Sequence, residues 1–319
     1  MRYTEPFNTS WHAFHSSTYV QQYLNKCYSK LGFDDAERKS YDNCYRFMYF
    51  MEYGDRYFKH AHLADTELKP ILLFYGMIQL LKGCLLTLDP NYPSDTLVLA
   101  HGVTSRKRKK RQYSFLQDEV KGQKNGLFEY FSRKMFHVKQ VEGEKYQMND
   151  LLSLIPEIAP LIKQLSEKVT SFRLTPTNAN TFTVSSHILD TLNMTTDRFE
   201  SYLNQQLPVE VTTVSSSERG VLMIHFDGDL SRLHSRPMLS CGQDLYLPAK
   251  RSQYHSIHEV MVHYLLLYNL SMICRYETEW WGDLFHTRES NDLPFILEFL
   301  DIAAEKVPLL LYEYLMERI

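Results

Sequence analysis

The sequence predicts a mainly helical α+β protein. Its plan is a discontinuous helical bundle built from both ends of the chain, with a β-rich subdomain inserted between them. Two strongly apolar stretches with helical spacing lie far apart, at about 70–88 and 257–276. Each needs a partner to cover it, and packing one on the other is the economical solution. Between them the text from Val169 to Leu247 breaks into short runs rich in β-branched and aromatic residues. The expected parts are a helical 1–112, a mixed β-rich insert at 113–250, and a helical 251–319 that packs on the first.

Taken in order, Ser16–Ser17 can cap a helix whose apolar positions are Val20, Tyr23, Leu24, Cys27 and Leu31. Asp34–Asp35 opens a second helix through Tyr41, Cys44, Phe47, Met48 and Met51, which Gly54 ends or bends. Pro70 suits the first turn of a third, and Asp89-Pro90-Asn91-Tyr92-Pro93 stops it. A hairpin is expected between Tyr113 and Gly126, turning near Lys121–Gly122 or Asn125–Gly126. Helical pieces at 149–166 are interrupted by Pro156 and Pro160. Strands follow at Val169–Leu174, Thr181–Ile188, Val209–Val214, Val221–Phe226 and Leu245–Leu247, with a helix at 197–207 capped by Thr195 or Thr196. From His255 the text is helical again: a long apolar helix to Ile273, a break at Trp280–Trp281 near Gly282, then helices at 292–304 and 306–318.

Composition excludes several classes. In 319 residues, 44% hydrophobic and 23% charged content describes a globular chain rather than a disordered one. The best membrane candidate, Ile71–Leu88, contains Gly76, Gln79, Lys82 and Gly83, so it reads as a buried helix and no membrane partner is expected. Met1–Trp11 has no basic-then-apolar-then-small pattern of a signal peptide. Five scattered cysteines with no CxxC pair fit reduced thiols in a cytoplasmic protein. Tyrosines, 22 in all, cluster at Tyr41–Tyr57 and near the C-terminus; amphipathic packing is the expectation, with base stacking as the sharper alternative.

The strongest functional signal is charge. Arg106-Lys107-Arg108-Lys109-Lys110-Arg111 is an unbroken basic run. Residues 101–145 hold 12 Lys+Arg against 5 Asp+Glu, leaving 23 against 33 elsewhere. Such asymmetry points to an anionic partner such as a nucleotide or RNA. Arg forks and Lys point charges match phosphate oxygens. The expected ligand-binding set is this run with His101 and Arg275; the competing reading makes Arg275 and Glu277 a structural ion pair. No Gly-rich phosphate loop or dinucleotide fingerprint occurs.

Metal and nucleophile motifs are incomplete. His258 and His263 are five apart, so HExxH fails, although His255 and Glu259 share a helical face. Asp227-Gly228-Asp229 reads as a turn. No serine sits in a nucleophile elbow, and neither metal nor cofactor is expected.

The apolar segment Pro70–Leu88, the Asp89–Pro93 cluster, His101-Gly102-Val103, Ser105–Arg111 and Leu270-Ser271-Met272-Ile273-Cys274-Arg275-Tyr276…Trp280 together resemble the YaaC-like family over nearly the whole chain. The resemblance implies a bacterial, Bacillus-type cytosolic protein and no particular reaction. The helical text also looks distantly like HEPN proteins, often metal-independent RNases marked by Arg, four to six residues, then His. Arg56…His62 and Arg251…His258 fit that spacing, as does Arg219…His225 in β-rich text. A chain with 17 Arg and 13 His yields about two such matches by chance. Three readings are therefore carried: binding of a phosphate-bearing ligand, an HEPN-like RNase using Arg56–His62 or Arg251–His258, and a protein-interaction module docking through the β-rich insert. The oligomeric state stays open, a homodimer included.

Overall fold

The computed structural model describes residues 11–105, 113–138, 140–207, 209–215, 220–228, 238–255, 257–287 and 290–319. Its composition is mainly α with a smaller β part, 61% helix and 15% strand, as the sequence predicts. The chain divides into two units, one of Met1–Met148 with His263–Ile319 and the other of Asn149–Val262. The unit boundaries lie at 148/149 and 262/263, where the text alone placed them at 112/113 and 250/251.

The first unit begins with α1 (Ser17–Lys30), which Ser16 caps by accepting from Tyr19 N. Next come α2 (Ala36–Leu63) and α3 (Lys69–Leu86), with Pro70 in the first turn of α3. Gly54 does not end α2. It is the point where Leu80 of α3 seats: a Cβ there would stand 2.7 Å from Leu80 Cγ. Gly76 and Gly83 of α3 likewise admit Phe58 and Met51 of α2. The pairs 54/80, 58/76 and 51/83 run in opposite senses, so the two helices are antiparallel and closely approached. One helix, Lys69–Leu86, is long and apolar enough to cross a membrane, but 67% of it is buried inside the protein, as in a core helix.

The expected hairpin at 113–126 does not form. Instead β1 (Val103–Ser105), β2 (Glu119–Gly122) and β3 (Lys145–Gln147) make an antiparallel sheet in that order. Gly126 then opens α4 (Leu127–Phe136). The reason is local: Gly126 has φ +120° and lies against Gly102, a backbone approach that no side chain would permit.

The second unit opens with α5 (Met148–Leu152) at the boundary and α6 (Ala159–Ser166). A six-stranded antiparallel sheet follows, ordered β6-β7-β5-β4-β9-β8. The strands are β4 (Ser171–Asn178), β5 (Thr181–Ser185), β6 (Glu210–Ser215), β7 (Val221–Asp227), β8 (Leu239–Cys241) and β9 (Asp244–Pro248). Alternating Phe172/Leu174, Phe182/Val184, Leu222/Ile224/Phe226 and Leu245/Leu247 face one core. Ile188 and Leu192 of α7 (His187–Leu192) and Phe199 and Leu203 of α8 (Thr196–Gln206) fill it. Ile188, expected in a strand, belongs to α7.

α9 (Glu259–Tyr276) carries the chain back into the first unit, where Tyr264 and Tyr268 pack edge-on against Phe74 of α3 at 5.3 and 5.7 Å. The expected break at Trp280–Trp281 is filled by α10 (Thr278–Thr287). Trp281 is buried and donates to Glu67 O at 3.1 Å, which holds the helix through Gly282. The last two expected helices are one, α11 (Asp292–Met316), with Pro308 inside it. Proline removes one helical hydrogen bond, and burial of Ala304, Val307, Leu311 and Leu315 on either side keeps the axis continuous.

Candidate anion-binding site

The segment carrying His101 is stitched into the first unit by its backbone. Leu127 N donates to Ala100 O at 2.7 Å, Gln123 N to Gly102 O at 2.9 Å, and the Tyr264 hydroxyl to His101 O at 2.8 Å. The half-buried imidazole stands among Phe74, Tyr268 and Tyr75, with ring centroids at 5.1, 5.8 and 6.4 Å.

Arg275, near the end of α9, reaches the same place. Its guanidinium donates to Ser271 O at 2.9 Å and to the Tyr75 hydroxyl at 3.3 Å, and lies 5.9 Å from the Tyr75 ring and 5.3 Å from the Tyr276 ring. Among the described residues no carboxylate pairs with it; its expected partner Glu277 does not close an ion pair. The structural ion-pair reading of Arg275 therefore fails. Lys82 of α3 is the third cation. It is half-buried, lies 5.9 Å from the Phe50 ring, and has no carboxylate partner among the described residues. Burial lowers its pKa.

Burial first, then the Arg275 and Lys82 charges, hold the His101 pKa below its ordinary value, so the ring is neutral at pH 7. Tyr57 of α2 completes the wall, stacked on Tyr75 at 6.3 Å. An oxyanion entering here would meet two half-buried cations, tyrosine hydroxyls, and an imidazole able to take up a proton.

The model of the YaaC-like protein family matches residues 12–315. The chain belongs to the YaaC-like family. The match runs through both units, so the His101–Lys82–Arg275 cluster sits inside the family's span. No curated protein and no solved structure is significantly similar to this chain.

The other sequence-expected residues that the structure describes lie elsewhere in this YaaC-like chain. The run Arg106, Lys107, Arg108, Lys109, Lys110 and Arg111 falls outside the described residues. The residues just after it are held firmly: buried Asp292 accepts from Phe115 N at 2.8 Å, Leu116 N at 3.2 Å and the Ser114 hydroxyl at 3.0 Å. Arg56 and His62 are both exposed on α2 and look to different partners, Glu52 for Arg56 and Glu305, at 3.9 Å, for His62. Arg251 donates to the carbonyls of Leu192 and Asn193 at the end of α7, at 2.8 and 2.7 Å. His258 accepts from Val260 N at 3.1 Å at the start of α9. Among the described residues no group of three His, Cys, Asp or Glu could hold a metal.

Sequence reasoning missed Lys82 and Tyr75 as site residues. The signal was present: Lys82 is the lone cation within the apolar stretch 71–88, and Tyr75 precedes it by seven residues, two turns up the same helical face.

Proposed function

We propose that this protein binds a phosphate-bearing ligand, a nucleotide or RNA, at the His101–Lys82–Arg275 cluster, without catalysing its turnover. One observation carries the reading: His101 and Arg275 both stand against Tyr75, half-buried Lys82 acts on the same imidazole, and no carboxylate among the described residues neutralises the two cations. Structural cations are normally paired when they leave water, so an anion is the missing complement. The basic run Arg106–Arg111 begins one residue after β1 and adds steering charge to the same unit. We assign this role to a bacterial cytoplasm, on the family resemblance and on five cysteines of which none forms a disulfide.

Isothermal titration of the full chain with pyrophosphate and ATP at low salt tests the proposal. Lys82→Met and Arg275→Met should each weaken binding roughly 10- to 100-fold, the worth of one charge-assisted hydrogen bond. Neutralising Arg106–Arg111 should chiefly lower the association rate and its salt dependence. No binding at low salt, or affinity indifferent to both methionine variants, sinks the proposal. Metal-independent cleavage of an RNA probe that is lost in His62→Ala or His258→Ala would move the assignment to the HEPN-like RNase.

A further inference from the structure

Five tyrosines of α2, Tyr41, Tyr45, Tyr49, Tyr53 and Tyr57, recur at every fourth position. Amphipathic packing, the expectation for this cluster, does not account for them. Tyr41, Tyr45, Tyr49 and Tyr53 are 70, 57, 56 and 52% exposed, while Tyr57 is half-buried against Tyr75 in the anion site. Exposure thus falls steadily toward the cations. A four-residue step rises about 6 Å along a helix and turns about 40° about it. The rings form a shallow spiral with a repeat close to the reach of one extended nucleotide. Tyr45 and Tyr49 lie 6.4 Å apart, too far to stack fully on each other, so each leaves a face open.

We propose that a single-stranded nucleic acid lies along α2, its bases stacked on this tyrosine ladder and its terminal phosphate held by Lys82, Arg275 and His101. The inference rests on the anion-binding reading and specifies its ligand. Aromatic platforms beside a cationic groove are the general means of holding single strands without reading sequence. Charge on the ladder is compatible. Glu52 and Asp55 are already paired with Arg56 and Lys59, and exposed Arg46 beside Tyr45, with no ion pair among the described residues, stands against the one remaining exposed acid there, Asp42. Arg56 also lies over the Tyr53 ring at 5.7 Å. A second copy of the chain fits less well. A two-fold pairing that sets Tyr45 on Tyr49 and Tyr41 on Tyr53 also sets Arg38 on Arg56 and Asp42 on Glu52, like charge on like.

The test titrates the full chain calorimetrically with pyrophosphate and with 5′-phosphorylated oligo(U) of increasing length. Affinity should climb with each nucleotide and level off at about five, one per ring. Tyr45→Ala/Tyr49→Ala should weaken binding of the longest oligomer roughly 25-fold, about 5-fold per lost stack, with pyrophosphate binding unchanged. Tyr45→Phe/Tyr49→Phe should keep it. These tyrosines are exposed, so neither variant threatens the fold. If pyrophosphate binds but affinity is flat with length, or the alanine pair changes nothing, the ladder proposal is overturned and the anion site stands. If pyrophosphate does not bind, the anion site falls and the docked strand with it. Dimerisation in sedimentation velocity that the alanine pair abolishes, together with length-independent affinity, assigns the ladder to a second copy and overturns the proposal.

Discussion

Replacing Gly126 by alanine puts a methyl group where the backbone of Gly102 already is. Position 126 has φ +120° and ψ 179°, a region open essentially to glycine alone. That strain costs about 1–3 kcal/mol. The new Cβ would also overlap Gly102 N and Cα and lie 2.9 Å from Ala100 O. All of these are backbone atoms tied by Leu127 N→Ala100 O and Phe128 N→His101 O, so they cannot swing aside. Overpacking of this kind costs a further 1–3 kcal/mol or so. The total is about 2–6 kcal/mol, and for a unit of about 205 residues each kcal/mol lowers Tm by about 2–4 °C. Gly143→Ala is the matched control, with φ +80° but nothing within 4 Å of its added Cβ. It bears only the conformational part of the loss. Differential scanning calorimetry of both variants should place Gly126→Ala clearly below Gly143→Ala. Equal Tm values would mean that the Gly102–Gly126 approach is not as close as described, and the positioning of His101 would have to be rebuilt.

Other consequences are as direct. Because the folded pKa of His101 lies below its ordinary value, the unfolded chain binds more protons once the pH drops under about 6.5, and stability falls with it. Urea midpoints at about pH 7.5 and about pH 5.5 should show an acid loss that shrinks in His101→Gln and in Lys82→Met. An anion in the site offsets the two cations, so sulfate, which does not titrate here, should bind more tightly as the pH falls; the opposite trend would place the anion elsewhere. Asp292→Ala leaves two backbone N–H groups and the Ser114 hydroxyl without their acceptor, a loss of about 2–4 kcal/mol that Asp292→Asn partly restores. An unchanged denaturation midpoint would show that water replaces the carboxylate.

Most of the fold was legible because it is written in periodicity. Ser16, Pro70 and Thr195 mark helix starts by a cap or a missing N–H, and each does so in the structure. The strands of the second unit follow the period-two burial of Phe172, Val184, Ile224 and Leu247. What failed was punctuation. Gly54, Gly282 and the join at 304/306 just before Pro308 all read locally as breaks, yet all three lie inside helices. Local propensity is worth about 1 kcal/mol for glycine and about 3 for proline. Burying Leu80, Trp281 or Leu311 against a distant segment outweighs it, and no single-sequence window contains those partners.

The candidate site divides along the same line. His101 and Arg275 were legible as charge within apolar text, but their meeting joins residues 174 positions apart. Lys82 shows why such a site is hard to see. Within an apolar helix it registers first as an interruption that argues against a membrane span. Its second meaning needs the facing helices: with α2 contributing Phe50 and Tyr57 and α9 contributing Arg275, the interruption becomes one corner of a cation cluster. The tyrosine ladder is the converse case. Its four-residue repeat is fully present in the sequence, yet a buried and an exposed stripe of tyrosines have the same spacing. Only the observed fall in exposure from Tyr41 to Tyr57 separates them. That gradient, ending at positive charge that no described carboxylate pairs, is a physical reason to test single strands on this protein before mononucleotides.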